Sequence, residues 1–278
     1  MKILVTTDFS ANSKAGMRFA ISLANIRKAE LLFFHSYFLP KPANLADVDY
    51  PIYAKGVNKK LSIKLTNLVE SIYKLMKMTP GKYKCLAVEG MIPESNIMDY
   101  ASNNPVDFIC MSTRGAGKLK KIFGTTAGNL ITKSNTPVIA IPQHYRIKKI
   151  DNALYASDLK NYEEELKTIM KFVKPLNAVV ELFHLTYPGE KKPDADSLEI
   201  ILTKQFGNKV RLHLESTDLN HSIAQSLQKA IDASDPELVI MFTEQRRSLF
   251  QKIFLSSTTE EIAFQIKVPM LVYNKNVN

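Results

Sequence analysis

The feature that most restricts the fold of this chain of 278 residues is an internal duplication. Asp158 lies 150 residues after Asp8, and His184 lies 149 residues after His35. Three further segments recur in the same order: Pro236–Thr243 after Pro105–Thr113, Lys252–Phe254 after Lys121–Phe123, and Val268–Val272 after Thr136–Ala140. Five landmarks in one order and at nearly constant spacing predict two similar domains in tandem, residues 1–146 and 147–278.

Strand-like and helix-like segments alternate within each copy. In the first copy, short apolar runs predict strands at Lys2–Thr6, Glu30–Phe38, Cys85–Val88, Asp107–Met111 and Pro137–Ile141. Apolar residues at helical spacing predict helices at Ser10–Asn25, about Tyr53–Lys77, Pro93–Ser102 and around Ala127–Lys133. This alternation predicts an α/β fold with a doubly wound, parallel, five-stranded sheet and right-handed crossovers in each copy.

A glycine-rich loop connects the fourth predicted strand to the helix that follows it. Four of the ten glycines fall in this loop, at Gly115, Gly117, Gly124 and Gly128. Exposed backbone N–H groups and a helix N-terminus can bind an anion. Further donors come from the hydroxyls of Thr125 and Thr126 and from three lysines, Lys118, Lys120 and Lys121. The loop matches neither the Walker nor the Rossmann pattern, so a plain strand-to-helix connection stays open as the alternative to a phosphate site.

The excess of positive charge is confined to the first half of the chain. The net charge is +10, from 37 basic and 27 acidic residues, but residues 1–146 hold 20 basic and 9 acidic residues, a net of +11. The remaining 17 basic and 18 acidic residues leave the second half at −1. A basic half with a glycine loop fits a phosphate-bearing ligand, and a merely solvated basic surface is a competing interpretation. Nucleic acid is not the expected partner, because zinc-finger spacing, an RNP motif and basic heptads are missing from the sequence.

Composition argues against several other classes of protein. Hydrophobic residues make up 45% of the chain, but no apolar run approaches the ~20 residues of a membrane span, and we expect a cytoplasmic protein without membrane partners. Cys85 and Cys110 lie in apolar runs without metal-ligand spacing, which predicts buried thiols and no metal site. No catalytic triad or carboxylate pair can be assembled from the spacing of residues, so we assign no catalytic residue.

The ordered set of motifs resembles the universal stress protein family in its two-domain form. The residues that carry the resemblance are Thr7-Asp8-Phe9-Ser10 after the first strand, His35 at the end of the second strand, the segment Gly90–Pro93, Gly124-Thr125 in the glycine loop and a final Thr-Pro-Val-Ile strand. It implies an adenine-nucleotide α-hydrolase-like, Rossmann-like fold and, in many members, ATP bound at the carboxyl ends of the strands, with or without Mg²⁺.

The resemblance also implies roles for particular residues. Asp8 would lie beside the ribose and adenine, with Thr6 and Thr7 lining the same strand end, and the backbone of Ser36 would read the adenine edge. The triphosphate would be held by the glycine loop, namely by Gly115, Gly117, Gly124, Thr125 and Thr126. Carboxylates accept from ribose hydroxyls, whereas backbone N–H groups and threonine hydroxyls donate to phosphate oxygens.

Two departures from the family pattern bear on this expectation. Met111 stands where the first glycine of the loop belongs, and the nine-residue spacing before Gly124 leads to Arg114 instead of Gly115. Arg114 is therefore a further candidate for a phosphate contact. In the second copy the corresponding segment, residues 243–258, contains no glycine. We expect that copy to be degenerate, and Asp158 to be a helix N-cap or a vestigial residue.

The resemblance therefore predicts a stress-response sensor or regulator that binds ATP in its first domain and has at most slow ATP hydrolysis. An interaction or dimerisation module without nucleotide is the main alternative, and an enzyme of the wider α-hydrolase-like group is a weaker one. The final strands, Pro137–Ile141 and Pro269–Tyr273, are predicted to pair the two copies as an intramolecular pseudo-dimer, or to pair two chains as a homodimer.

Overall fold

A computed structural model of the chain describes residues 1–113, 125–216, 223–243 and 267–275. The described residues separate into two compact units, the first ending at Ile147 and the second beginning at Lys148. Within those residues, no helix combines the length and apolar character that crossing a membrane would require.

The first unit contains five parallel strands in the order β3-β2-β1-β4-β5. Its strands are β1 (Lys2–Thr6), β2 (Glu30–Tyr37), β3 (Tyr83–Glu89), β4 (Phe108–Ser112) and β5 (Val138–Ile141). Its helices are α1 (Lys14–Arg27), α2 (Tyr50–Met76), α3 (Pro93–Asn103) and α4 (Thr125–Lys133). The central strands read as continuous apolar runs because helices cover both faces of a doubly wound parallel sheet.

The second unit repeats this arrangement, with strand order β8-β7-β6-β9-β10, again parallel. Its strands are β6 (Asn152–Ser157), β7 (Val179–Thr186), β8 (Val210–Ser216), β9 (Leu238–Thr243) and β10 (Met270–Asn274). Its described helices are α5 (Tyr162–Val173), α6 (Ala195–Phe206) and α7 (Ile223–Ser234). The predicted α/β fold is therefore confirmed, and the strands of both units follow one topology.

The predicted elements differ from the observed ones mainly at their ends. α1 begins at Lys14, four residues later than predicted, because residues 10–13 form a turn held by side-chain hydrogen bonds. α2 begins at Tyr50, three residues earlier, with Pro51 in its first turn, where a proline costs no hydrogen bond. The core of the first unit lies between its sheet and helices and includes Val5, Phe33, Phe34, Leu65 and Ile139, each fully buried.

The strand order determines where a ligand has access to the sheet. In the first unit the chain passes from β1 to β2 on one side and later places β4 on the other side of β1. The crossovers at this switch point leave in opposite directions, so a crevice opens at the carboxyl ends of β1 and β4. Thr7 and Asp8, directly after β1, therefore lie at the edge of this crevice.

Candidate functional site

A tight turn directly after β1 presents Asp8 at the mouth of this crevice. The Thr7 side-chain oxygen lies 2.8 Å from the Ser13 hydroxyl and accepts from the Phe9 N–H at 3.1 Å, while Asp8 Oδ1 accepts from the Ser10 N–H at 3.0 Å. Phe9 has φ 63°, a left-handed conformation that is uncommon for a bulky residue and that these bonds stabilise. The turn buries Thr7 and leaves the Asp8 side chain exposed to solvent.

The backbone of Ser36, at the end of β2, faces the same side of the sheet. The β1–β2 ladder ends where Thr6 lies opposite Phe34, and the Thr7 N–H donates to the Phe34 carbonyl at 2.9 Å. Alternate residues of a strand direct their N–H and C=O groups to the same side. The Ser36 N–H and C=O therefore point toward β1 beyond its last ladder pair, whereas the Tyr37 carbonyl accepts from Gly90 on the β3 side. Two backbone polar groups at the end of β2 are therefore directed toward the turn after β1.

His35 supports the turn through a hydrogen bond to its backbone. Its Nδ1 lies 2.9 Å from the Thr7 carbonyl oxygen, which can only accept, so Nδ1 carries the proton. Burial lowers the pKa of His35 and nearby Lys64 lowers it further, which together outweigh the hydrogen bond to Thr7. The Phe9 ring packs on His35 with ring centres 4.2 Å apart. The expected role of a hydrogen-bonded core histidine is confirmed.

The other wall of the crevice is formed where α1 meets β4. A Cβ atom on Gly16 would lie only 3.0 Å from the Met111 carbonyl carbon and from the Ser112 nitrogen, so only glycine lets helix and strand approach this closely. The Gly16 N–H donates to the Ser112 hydroxyl at 2.9 Å. Met111 is 6% exposed and pairs with Ala140 of β5, so its side chain belongs to the sheet.

The structure brings part of the predicted site together. Four of the predicted residues lie at the carboxyl edge of the first unit's sheet; they are Thr6, Thr7, Asp8 and Ser36. Met111 is a buried residue of β4, and α4 begins at Thr125 with Thr126 next in its first turn. The predicted phosphate contacts of Arg114, Gly115, Gly117 and Gly124 lie outside the described residues.

The second unit has the same turn but a different set of partners for its aspartate. Asp158 Oδ1 accepts from the Lys160 N–H at 3.1 Å, and His184 Nδ1 lies 2.9 Å from the Ser157 carbonyl oxygen, as in the first unit. Here, however, the Lys275 ammonium lies 3.1 and 3.0 Å from the two carboxylate oxygens of Asp158. The expectation that Asp158 is an N-cap is wrong, because Asn161 is the N-cap residue of α5.

A buried glutamate extends this ion pair into a cluster. The Lys275 ammonium also lies 3.2 Å from Glu165 Oε1, and Glu165 Oε2 accepts from the Tyr155 hydroxyl. That hydroxyl accepts in turn from the Ser157 hydroxyl at 2.9 Å. Tyr155 is fully buried, and the side chains of Glu165 and Lys275 are 7% and 11% exposed.

The ionisation of the cluster follows from burial and pairing. Burial raises the pKa of Glu165 above its usual value, and its bonds with Tyr155 and Lys275 offset only part of that rise. Burial also acts to raise the pKa of Asp158, but hydrogen bonds from Lys275 and Lys160 outweigh it, so the pKa is lowered. Burial acts to lower the pKa of Lys275, yet the two carboxylates raise it, so the lysine stays charged.

The sequence reasoning missed this cluster. In the sequence alone, Glu165 is one of three consecutive glutamates at a helix start, where acidic residues suit the helix dipole, and Lys275 belongs to no motif. A position-by-position comparison of the copies could have found it: Tyr155 lies 150 residues after Val5, and Lys275 corresponds to Gln143 through the strand registers. The first copy has an apolar and a neutral residue at these two positions, so a tyrosine hydroxyl and a lysine in the second copy indicate a polar network that is specific to it.

Comparison with known proteins is consistent with this architecture. Universal stress protein MJ0577 of Methanocaldococcus jannaschii is 28% identical over 152 residues, which are 50% of this chain and 93% of that protein. A universal stress protein structure from Archaeoglobus fulgidus covers 98% of this chain and 96% of its own at 21% identity, with a TM-score of 0.69, which shows the shared fold. A second structure from A. fulgidus, in complex with dAMP, is 25% identical over 50% of this chain and 96% of its own, with a TM-score of 0.34.

The strand order, the Thr-Asp-Phe-Ser turn after β1 and the shared fold agree with a match to a family model. The model described as "Universal stress protein family" matches residues 1–142, which is just over half of the chain. The chain therefore belongs to the universal stress protein family.

Proposed function

We propose that the first unit binds an adenine nucleotide, ATP in the first instance, in the crevice between the carboxyl ends of β1 and β4. The observation that carries the proposal is the exposed Asp8 carboxylate at the switch point, next to the outward backbone N–H and C=O of Ser36. Such a set can accept from ribose hydroxyls and pair with a base edge at the same time.

The contrast between the two units supports this assignment. Both contain the same aspartate in the same turn, but Asp158 is 28% exposed and paired with Lys275, whereas Asp8 faces solvent. The net charge of +11 on residues 1–146 favours a ligand that bears phosphate. The phosphates would lie toward the N-terminus of α4, where Thr126 is in the first turn.

The reaction chemistry proposed for this site is modest. Many members of the family bind ATP at the carboxyl ends of their strands, and the described turn after β1 presents one carboxylate, that of Asp8. The role described for His35 is structural, because its Nδ1–H group donates a hydrogen bond to the Thr7 carbonyl. We therefore propose a sensor or regulator that responds to nucleotide, with at most slow hydrolysis of ATP.

A matched pair of substitutions tests the proposal. Asp8→Asn keeps the Oδ1 that accepts from Ser10 but removes the negative charge, and Asp158→Asn makes the same change in the other copy. Isothermal titration with ATP, with and without Mg²⁺, gives the affinity of each variant. We expect Asp8→Asn to weaken binding roughly 10- to 100-fold, the cost of a charge-assisted hydrogen bond, and Asp158→Asn to leave the affinity unchanged.

The same experiment separates the nucleotide site from an interaction module. Acid release and chromatography of the purified protein should show copurified adenine nucleotide, and a series from AMP to ATP reports the contribution of the phosphates. If the wild-type protein binds none of these nucleotides, the proposal is wrong and an interaction or dimerisation module without nucleotide takes its place. If Asp8→Asn and Asp158→Asn weaken ATP binding equally, the site does not reside in the first unit.

A further inference from the structure

The second unit directs two carboxylates at one ammonium group. Lys275 directly follows β10, and its ammonium group lies 3.1 and 3.0 Å from Asp158 Oδ1 and Oδ2 and 3.2 Å from Glu165 Oε1. The two Asp158 contacts are hydrogen bonds, whereas the Glu165 contact is an ion pair without hydrogen-bond geometry. The second Glu165 oxygen is held by Tyr155, which fixes the direction in which the first one points.

The buried carboxylates require a cation. Two carboxylates that are mostly withdrawn from water repel each other and lose hydration, and a paired cation offsets both costs. The first unit has no such arrangement at the matching positions, where Val5 and Gln143 stand in place of Tyr155 and Lys275. The second copy therefore pairs its aspartate with a cation through residues that the first copy does not have at the matching positions.

We infer that Asp158 and Glu165 form a binding site for a primary ammonium group, and that the chain fills this site with its own Lys275. The lysine acts as an internal ligand that binds the carboxylate of Asp158 and links the end of β10 to the end of β6. This unit is consequently closed to a ligand that would need Asp158 as an acceptor. The inference goes beyond the nucleotide proposal and does not depend on it.

The test is chemical rescue of the Lys275→Ala variant, with calorimetric melting as the readout. Alanine retains Cβ, so n-propylammonium supplies the missing part of the lysine side chain. We expect Lys275→Ala to melt on the order of 5–15 °C lower than wild type, because buried Glu165 and half-buried Asp158 lose their shared cation. Added n-propylammonium should raise the melting temperature of Lys275→Ala by several degrees. It should not raise that of wild type.

Two controls make the outcome specific. Lys267→Ala removes an exposed lysine just before β10, and it should melt like wild type and show no response to the amine. Tetramethylammonium carries the same charge without an N–H donor and should not rescue Lys275→Ala. The inference is overturned if Lys275→Ala melts like wild type, or if n-propylammonium and tetramethylammonium have equal effects.

A second pair of variants covers the case in which Lys275→Ala does not fold. Lys275→Met keeps most of the side-chain volume and removes the charge, and the double variant Lys275→Met/Asp158→Asn also removes one of the repelling carboxylates. We expect the double variant to melt higher than Lys275→Met. Additive losses in the two changes would show that the lysine and the aspartate are not coupled, and would overturn the inference.

Discussion

Gly16 offers a sharp test of how α1 closes on the crevice. Replacing glycine by alanine inside a helix normally stabilises the protein by about 0.5–1 kcal/mol, because alanine has less backbone freedom to lose on folding. At Gly16, however, the added methyl group would lie 3.0 Å from two backbone atoms of β4, those of Met111 and Ser112, and 3.2 Å from the Ser112 hydroxyl oxygen. β4 pairs with both β1 and β5 and cannot shift easily.

The magnitude follows from these opposing contributions. Overpacking against a fixed backbone costs about 1–3 kcal/mol, which exceeds the gain in helix propensity. We expect Gly16→Ala to lower the free energy of unfolding of the first unit by about 1–2 kcal/mol. For a domain of about 150 residues, this lowers the melting temperature by roughly 3–8 °C.

Gly56 provides the matched control. It lies within α2, is exposed, and a Cβ atom there would have no neighbour within 4 Å. Gly56→Ala should therefore stabilise the first unit by about 0.5–1 kcal/mol. Differential scanning calorimetry of the two variants beside wild type gives both signs in one experiment. If Gly16→Ala stabilises the protein as much as Gly56→Ala, α1 does not approach β4 as closely as described and the reasoning about the crevice wall is wrong.

Three further predictions concern other parts of the molecule. In Ellman titration of the native protein, Cys110 should not react, because it is fully buried and burial raises its pKa. Half-buried Cys85 should react slowly, and both thiols should react after denaturation. Because the pKa of Asp158 is lowered in the folded protein, its ionised form stabilises the fold above the unfolded pKa of about 3.8, and this stabilisation is lost as the pH falls from there through the folded pKa. Asp158→Asn should therefore lose less stability than wild type over this pH range, as measured by acid unfolding followed by circular dichroism. Thr7→Val should destabilise the first unit by about 1–3 kcal/mol in urea unfolding, because the Phe9 N–H loses its acceptor and the buried Ser13 hydroxyl keeps only its bond to the Ser10 carbonyl. An unchanged midpoint would contradict the role given to the turn.

The fold was predictable because its determinants are local or repeat along the chain. Apolar runs such as Leu31–Phe34 are typical of strands in a parallel sheet covered on both faces, and the alternation of strands with helices leaves few topologies. The duplication doubled the information, since the same order of landmarks occurs twice. The resemblance of the Thr-Asp-Phe-Ser turn to a known family then placed Asp8 at the edge of the sheet.

Contacts between residues distant in sequence were decided only by the tertiary structure. Lys275 and Asp158 are 117 residues apart, and their pairing depends on β10, β9 and β6 lying side by side with their carboxyl ends at one edge. Glu165 joins them because α5 turns one of three consecutive glutamates into the core, which composition could not distinguish from its neighbours. The sequence alone determined that the chain contains two copies of one nucleotide-type fold, whereas the packing of distant side chains decided that the aspartate of one copy faces solvent and that of the other is bound to a lysine.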